Sequence, residues 1–126
     1  QIISDFKPNV IIFSLGANLM YSPDLEIEKQ VREICEVAKS SKAKIIWVGP
    51  PDGRIDKKTP EQQERLYNHI QKIVTEYGTF IDSRPYTDYP EYWTAPRFDG
   101  VHFFGEEGKI MADDWANKIF SIIQSF

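Results

Sequence analysis

The sequence predicts an α/β protein in which a parallel sheet is packed between helices. Short, almost wholly apolar runs alternate with longer segments whose apolar residues recur at helical spacing. This alternation is typical of right-handed strand–helix–strand crossovers, which place helices against a parallel sheet. The length of 126 residues is that of one domain, and we find no internal repeat or linker. We therefore expect residues 1–126 to form a single three-layer α/β/α domain.

Three strands are predicted. Residues 9–14 (Asn-Val-Ile-Ile-Phe-Ser) and 44–48 (Lys-Ile-Ile-Trp-Val) are rich in β-branched residues and apolar on both faces, as in buried parallel strands. Residues 79–82 form a shorter third strand. Sheets usually have about five or six strands, so three make a narrow sheet. We expect the N-terminal strands of the fold to be missing, so that an N-terminal segment or another copy of the chain would complete the sheet.

Three amphipathic helices are predicted between and after these strands. The first spans about residues 24–40, the second follows a capping Thr59 and ends before Gly78, and the third begins near Glu106. The residues that they are expected to bury are Ile27, Val31, Ile34, Cys35 and Ala38 in the first, Leu66, Ile70, Ile73, Val74 and Tyr77 in the second, and Met111, Trp115, Ile119, Ile122 and Ile123 in the third.

Composition excludes several classes of function. The formal charge of −4 and the pI near 5.2 disfavour binding to nucleic acid, which requires a basic face. The longest apolar runs are too short to cross a bilayer, so no transmembrane segment is expected. Neither metal-ligand spacing nor a Gly-rich phosphate loop is found, so we predict no metal and no cofactor. His69 lies off the apolar helix face and is expected to be a solvated surface residue.

Residues suited to acyl-transfer chemistry follow the predicted strands. Ligands of open parallel sheets gather outside the carboxyl ends of the strands. Asn18 comes directly after the first strand, where its amide can donate a hydrogen bond to a developing oxyanion. Asp99 and His102 lie three residues apart before the last helix, a spacing that lets the carboxylate orient the imidazole as a general base.

Each of these residues also has a structural explanation. Asn18 is equally suited to a turn in which its side chain bonds its own backbone. Asp99 can be a solvated loop residue, and His102 can pack under the final helix. The pattern of an aspartate three residues before a histidine is common by chance. Taken singly, none of the three residues therefore decides the function.

Taken in order along the chain, these segments resemble the SGNH hydrolases, also called GDSL-like esterases and lipases. The matching stretches are Leu15-Gly16-Ala17-Asn18 after a strand and Asp99-Gly100-Val101-His102 before a C-terminal helix. The resemblance covers about the C-terminal two-thirds of a family domain. It implies a flavodoxin-like three-layer fold and hydrolysis or transfer of an acyl group such as acetyl by a Ser-His-Asp triad. Asn18 would supply an oxyanion-hole donor, and Asp99 and His102 the other two triad members.

The chain departs from the family pattern at two places. The Gly-Asp-Ser block that carries the nucleophile has no counterpart here, so the serine is expected upstream of this chain. In this chain Leu19 stands at the position of the final Asp of the family motif Gly-x-Asn-Asp. In the family that Asp mainly supports the loop. Ser14, expected to point into a packed layer, and Ser22 and Ser83 on loops lack the strand-to-helix elbow of a nucleophile. A catalytically inactive binding or assembly module of the same fold is the alternative.

An aromatic loop and two arginines are the candidate substrate-binding residues. Aromatic side chains beside an acyl-transfer site suit a sugar, although they also simply pack loops onto a sheet. The candidates for contact with a small ester or an acylated glycan are Arg54, Tyr86, Trp93 and Arg97, although Arg54 can equally pair with a surface carboxylate. Esterases that act on glycans are commonly extracytoplasmic, but these residues leave the compartment open.

Overall fold

The computed structural model describes residues 2–54, 58–87 and 101–126, and it has the predicted α/β architecture. The strands are β1 (Val10–Ser14), β2 (Lys44–Val48) and β3 (Thr79–Ile81). The helices in these ranges are α1 (Ile2–Phe6), α2 (Asp24–Lys39), α3 (Pro60–Val74) and α4 (Gly105–Gln124). Single turns of 3₁₀ helix lie at Ala17–Leu19 and Arg84–Tyr86. The short helix α1 is the one helix of the described ranges that the sequence pattern did not indicate.

The three strands form a parallel sheet in the order β1-β2-β3. In the register of the sheet, Phe13 lies beside Trp47 and Trp47 beside Phe80. These three aromatic residues therefore share one face of the sheet, since side chains alternate along a strand. The prediction of a parallel sheet with helical crossovers is confirmed.

The hydrophobic core lies between that aromatic face and helices α2 and α3. The rings of Phe13 and Trp47 are 5.3 Å apart, and Tyr67 meets Phe80 edge to face at 5.5 Å. Both helices bury most of the faces that their periodicity predicts, whereas Ile34 and Tyr77 are half-buried. The buried core residues are Met20, Ile27, Val31, Cys35, Trp47, Leu66, Ile70, Ile73 and Val74.

The two longer strands differ in burial, and the prediction that both are buried is wrong for β1. The last four residues of β2 are all buried. On β1, Val10 and Ile12 remain 44% and 49% exposed. The reason is position: β2 lies in the middle of the sheet, whereas no strand in the described part of the chain pairs with the outer edge of β1.

The chain divides into two compact units, which are described separately. The first comprises Gln1–Pro50 and Glu61–Asp82 and contains the sheet with α1, α2 and α3. The second comprises Pro51–Pro60 and Ser83–Phe126 and contains α4 and the 3₁₀ turn at Arg84–Tyr86. A single domain over the whole chain stays a prediction.

Helix α4 buries less than its periodicity predicts. Of the five residues expected to be buried, Ile119 is buried, and the other four are half-buried. Two further large apolar residues of this helix, Ile110 and Phe120, are exposed. Within the described ranges, no helix combines the length and apolar character that crossing a membrane requires.

Candidate active site

The loop that follows β1 carries Asn18, and a glycine sets its direction. Gly16 has φ +123°, a conformation that residues with a side chain rarely adopt. A Cβ at this position would also approach Cδ1 of Ile70 to 2.8 Å. The chain then makes one turn of 3₁₀ helix, in which the Leu19 amide donates to the Gly16 carbonyl at 2.9 Å. Glycine is thus required where the strand bends into the turn that presents Asn18.

Asn18 is exposed at a pocket beyond the carboxyl end of β1. The pocket has a volume of about 370 Å³. Among the described residues the Asn18 side chain makes no hydrogen bond, so it is not the self-bonded turn residue of the alternative explanation. Its amide can donate to a ligand. The lining is mainly apolar and comprises Ser14, Leu15, Gly16, Ala17, Asn18, Leu19, Gln30, Ile34, Trp47 and Pro50.

Two side chains from distant elements hold the ends of this loop, and sequence analysis identified neither role. The indole Nε1 of Trp47 on β2 donates to the Leu15 carbonyl at 3.1 Å. Arg65 on α3 donates to the carbonyls of Met20 at 3.1 Å and Ser22 at 2.5 Å. Its Nε also donates to the Asp24 carboxylate at 2.6 Å. No local sequence signal could have shown these contacts, because they join residues far apart in the chain.

A polar cluster joins α2 to α3 outside the pocket. His69 is half-buried, so the expectation of a solvated surface residue is wrong. Its Nδ1 lies 2.8 Å from Glu28 Oε1, and its Nε2 lies 3.2 Å from Asp24 Oδ1. Hydrogen bonds from Lys72 and then His69 hold the pKa of Glu28 below its ordinary value. Since the two carboxylates face opposite ring nitrogens, the cluster ties the helices together and does not converge on a ligand.

Three predicted site residues lie in the described part of the second unit. His102 is exposed in a bend just before α4, with its ring 5.9 Å from that of Phe104. Tyr86 ends a 3₁₀ turn and is half-buried, and its backbone amide donates to the Ser83 carbonyl at 3.1 Å. Arg54 is half-buried, and its carbonyl accepts from the Lys58 amide at 2.9 Å.

The remaining predicted residues, Asp99, Trp93 and Arg97, lie outside the described residues. Their assigned roles stay predictions. Asn18 belongs to the first unit, whereas His102, Tyr86 and Arg54 belong to the second.

The three serines considered as substitute nucleophiles occupy different environments. Ser14 is exposed and lines the pocket, so the expectation that it points into a packed layer is wrong. Ser83 is fully buried, which excludes attack on an external substrate from this conformation. Ser22 is half-buried and offers its carbonyl to Arg65. Among the described residues, neither Ser14 nor Ser22 hydrogen-bonds a histidine.

Over residues 2–54, 58–87 and 101–126, no group of three His, Cys, Asp or Glu side chains is arranged to hold a metal ion.

Comparisons with family models, with curated proteins and with solved structures gave no match to this chain.

Proposed function

We propose that the protein is an ester hydrolase or acyl transferase of the SGNH type, with a flavodoxin-like three-layer fold. The observation that carries the proposal is the Asn18 amide, exposed and unbonded within the described residues, at the rim of an apolar pocket beyond a parallel strand. This is the location at which α/β sheets bind ligands. An amide there suits an oxyanion, because its N–H groups donate hydrogen bonds without any change of protonation state.

In the proposed mechanism, a serine upstream of this chain attacks the ester carbonyl. His102 accepts the serine proton and later donates it to the leaving alcohol, while Asp99 orients the imidazole and stabilises its protonated form. Asn18 donates to the oxyanion of the tetrahedral intermediate. The acyl group occupies the pocket beside Asn18, because that lining is mainly apolar.

An acylated carbohydrate is the substrate class that we propose. The support is the set of aromatic residues in the segment before His102, of which Tyr86 is described and half-buried. Aromatic faces pack well against sugar rings. Arg54, Trp93 and Arg97 are proposed to complete the contacts with the sugar.

The test uses the natural full-length protein and a serine-directed fluorophosphonate, followed by intact mass spectrometry. We expect one adduct in the wild-type protein and its loss in His102→Ala. His69→Ala is the matched control, since His69 is the other of the two histidines of the chain and lies outside the pocket. Its labelling should match that of the wild-type protein.

The role of Asn18 is tested by kinetics. Asn18→Ala should lower kcat on p-nitrophenyl acetate by about 10²- to 10³-fold, as is typical for the loss of one oxyanion-hole donor. The proposed enzymatic function would be overturned by a protein that is not labelled and that hydrolyses neither p-nitrophenyl acetate nor acetylated xylan. That result would favour the inactive binding or assembly module.

A further inference from the structure

The Asn18 loop is held weakly by its own backbone. Between Gly16 and Ser22 the turn hydrogen bonds are Leu19 to Gly16 at 2.9 Å, Met20 to Ala17 at 3.4 Å and Ser22 to Leu19 at 3.0 Å. A single 3₁₀ turn has poor hydrogen-bond geometry and little stability of its own. Leu19 packs against the hydrophobic core and has no polar group with which to support the turn. The loop therefore depends on contacts from elsewhere in the first unit.

Arg65 supplies such contacts. Its guanidinium donates to two carbonyls just after the 3₁₀ turn, those of Met20 and Ser22, and to the Asp24 carboxylate at the start of α2. The planar guanidinium presents several N–H donors in a fixed arrangement, so one side chain can fix three acceptors at once. Lysine has a single compact ammonium and cannot reproduce this geometry.

The contact acts directly on the turn that presents Asn18. Met20 follows Leu19 immediately and is itself buried, so a fixed Met20 carbonyl fixes the end of the 3₁₀ turn. At the other end, the Trp47 indole fixes the Leu15 carbonyl. The turn that carries Asn18 is thus held at its two ends, by Trp47 of β2 and by Arg65 of α3.

We propose that Arg65 is a positioning residue of the active site, setting the direction in which the Asn18 amide donates. This inference rests on the proposed esterase function. A donor to the oxyanion acts mainly in the transition state, so its misplacement lowers kcat and leaves substrate binding nearly unchanged. Small errors in the position of such a group are costly in rate.

Arg32 is a matched control for Arg65. Its side chain is 44% exposed, against 36% for Arg65, and it also makes three side-chain hydrogen bonds in the first unit. Its partners are Glu76 and Tyr77, which follow the C-terminal end of α3 and are not part of the Asn18 loop. Arg32→Ala therefore removes a comparable ion pair without touching the loop.

The experiment compares Arg65→Ala, Arg65→Lys and Arg32→Ala in the natural full-length protein. We expect Arg65→Ala to lower kcat on p-nitrophenyl acetate by about tenfold or more, with KM changed less than about twofold. Hydrogen exchange at the Leu19 and Ser22 amides should become faster. Arg65→Lys should give intermediate values, and Arg32→Ala should change neither readout. Thermal unfolding of each variant confirms that the compared proteins are folded.

The two readouts separate the inference from the function on which it rests. Unchanged kcat and unchanged exchange at Leu19 and Ser22 in a folded Arg65→Ala protein would overturn the positioning role. An equal loss of kcat in Arg32→Ala would also overturn it, because the effect would then be one of general stability. Faster hydrogen exchange of the loop amides in Arg65→Ala, together with a wild-type protein that lacks esterase activity, would support the role of Arg65 in holding the loop. It would overturn the proposed function.

Discussion

Strands β1 and β2 have similar apolar sequences, Val-Ile-Ile-Phe-Ser and Lys-Ile-Ile-Trp-Val, yet the structure treats them differently. Ile46 of β2 is 2% exposed, whereas Ile12, its partner in the register, is 49% exposed. The central strand has a neighbour on each side, and the edge strand has one in the described residues. Composition therefore predicts that a segment forms a strand, while its place in the sheet decides what that strand buries.

The largest expected effect separates these two partners directly. Ile46→Ala should lower the free energy of unfolding by about 2–5 kcal/mol, because it removes buried methylene and methyl groups and leaves a cavity. Ile12→Ala should cost less than about 1 kcal/mol, since half of that side chain already contacts water. Denaturant unfolding of both variants measures the difference. Equal costs would show that β1 is covered as β2 is.

The residues after each strand extend the comparison to glycines. Gly49 follows β2, where an added Cβ would approach Cε1 of Tyr67 to 2.6 Å. Alanine there should cost about 1–3 kcal/mol through overpacking. Gly16→Ala after β1 should cost a similar amount, but for a second reason, the strain of its positive φ.

A second substitution distinguishes the two causes. Ile70→Val deletes the Cδ1 atom that an alanine at position 16 would meet. If backbone strain dominates at Gly16, the Gly16→Ala and Ile70→Val double variant should recover little of the lost stability. Recovery close to the Ile70→Val single variant would instead assign the whole cost to the steric contact.

The smallest expected effect is on the reactivity of Cys35, whose thiol lies in the core with Trp47. Burial raises the pKa of its thiol to about 11, so the reactive thiolate is scarce at pH 8. Iodoacetamide should modify Cys35 slowly in the native protein and rapidly in urea, with native reactivity rising as the pH approaches the raised pKa. Ile12→Ala should leave the native rate unchanged, whereas Ile46→Ala, which lowers the free energy of unfolding, should increase it because the protein unfolds more often. Rapid native modification at pH 8 would contradict the burial of this thiol.

Much of the first unit could be predicted from local pattern. The bounds of α2 and the start of α3 follow from apolar periodicity and from capping residues such as Thr59, signals contained within a few turns of chain. The place of Asn18 could be predicted for a related reason. A polar residue in the loop after a parallel strand lies at the edge of the sheet where ligands bind.

The features that could not be predicted depend on contacts between residues distant in sequence. The contacts of Arg65 with the loop join residues 41 to 45 positions apart, and on its own helix Arg65 looks like an ordinary surface charge. The pattern of its own helix likewise predicts a surface position for His69, because its partner Glu28 lies on another helix. The exposure of Val10 and Ile12 likewise depends on the neighbours of β1, which its own sequence does not specify.

The hydrogen bonds from Arg65 to the Asn18 loop have a consequence for the order of folding. The Asn18 loop is synthesised before the side chain that holds it, because Arg65 lies on α3, after α2 and β2. Parallel strands pair only after their crossover helix has closed a long loop, which is a slow step. The turn around Asn18 should therefore fluctuate until α3 is in place, so that the binding geometry matures later than the sheet on which it is built.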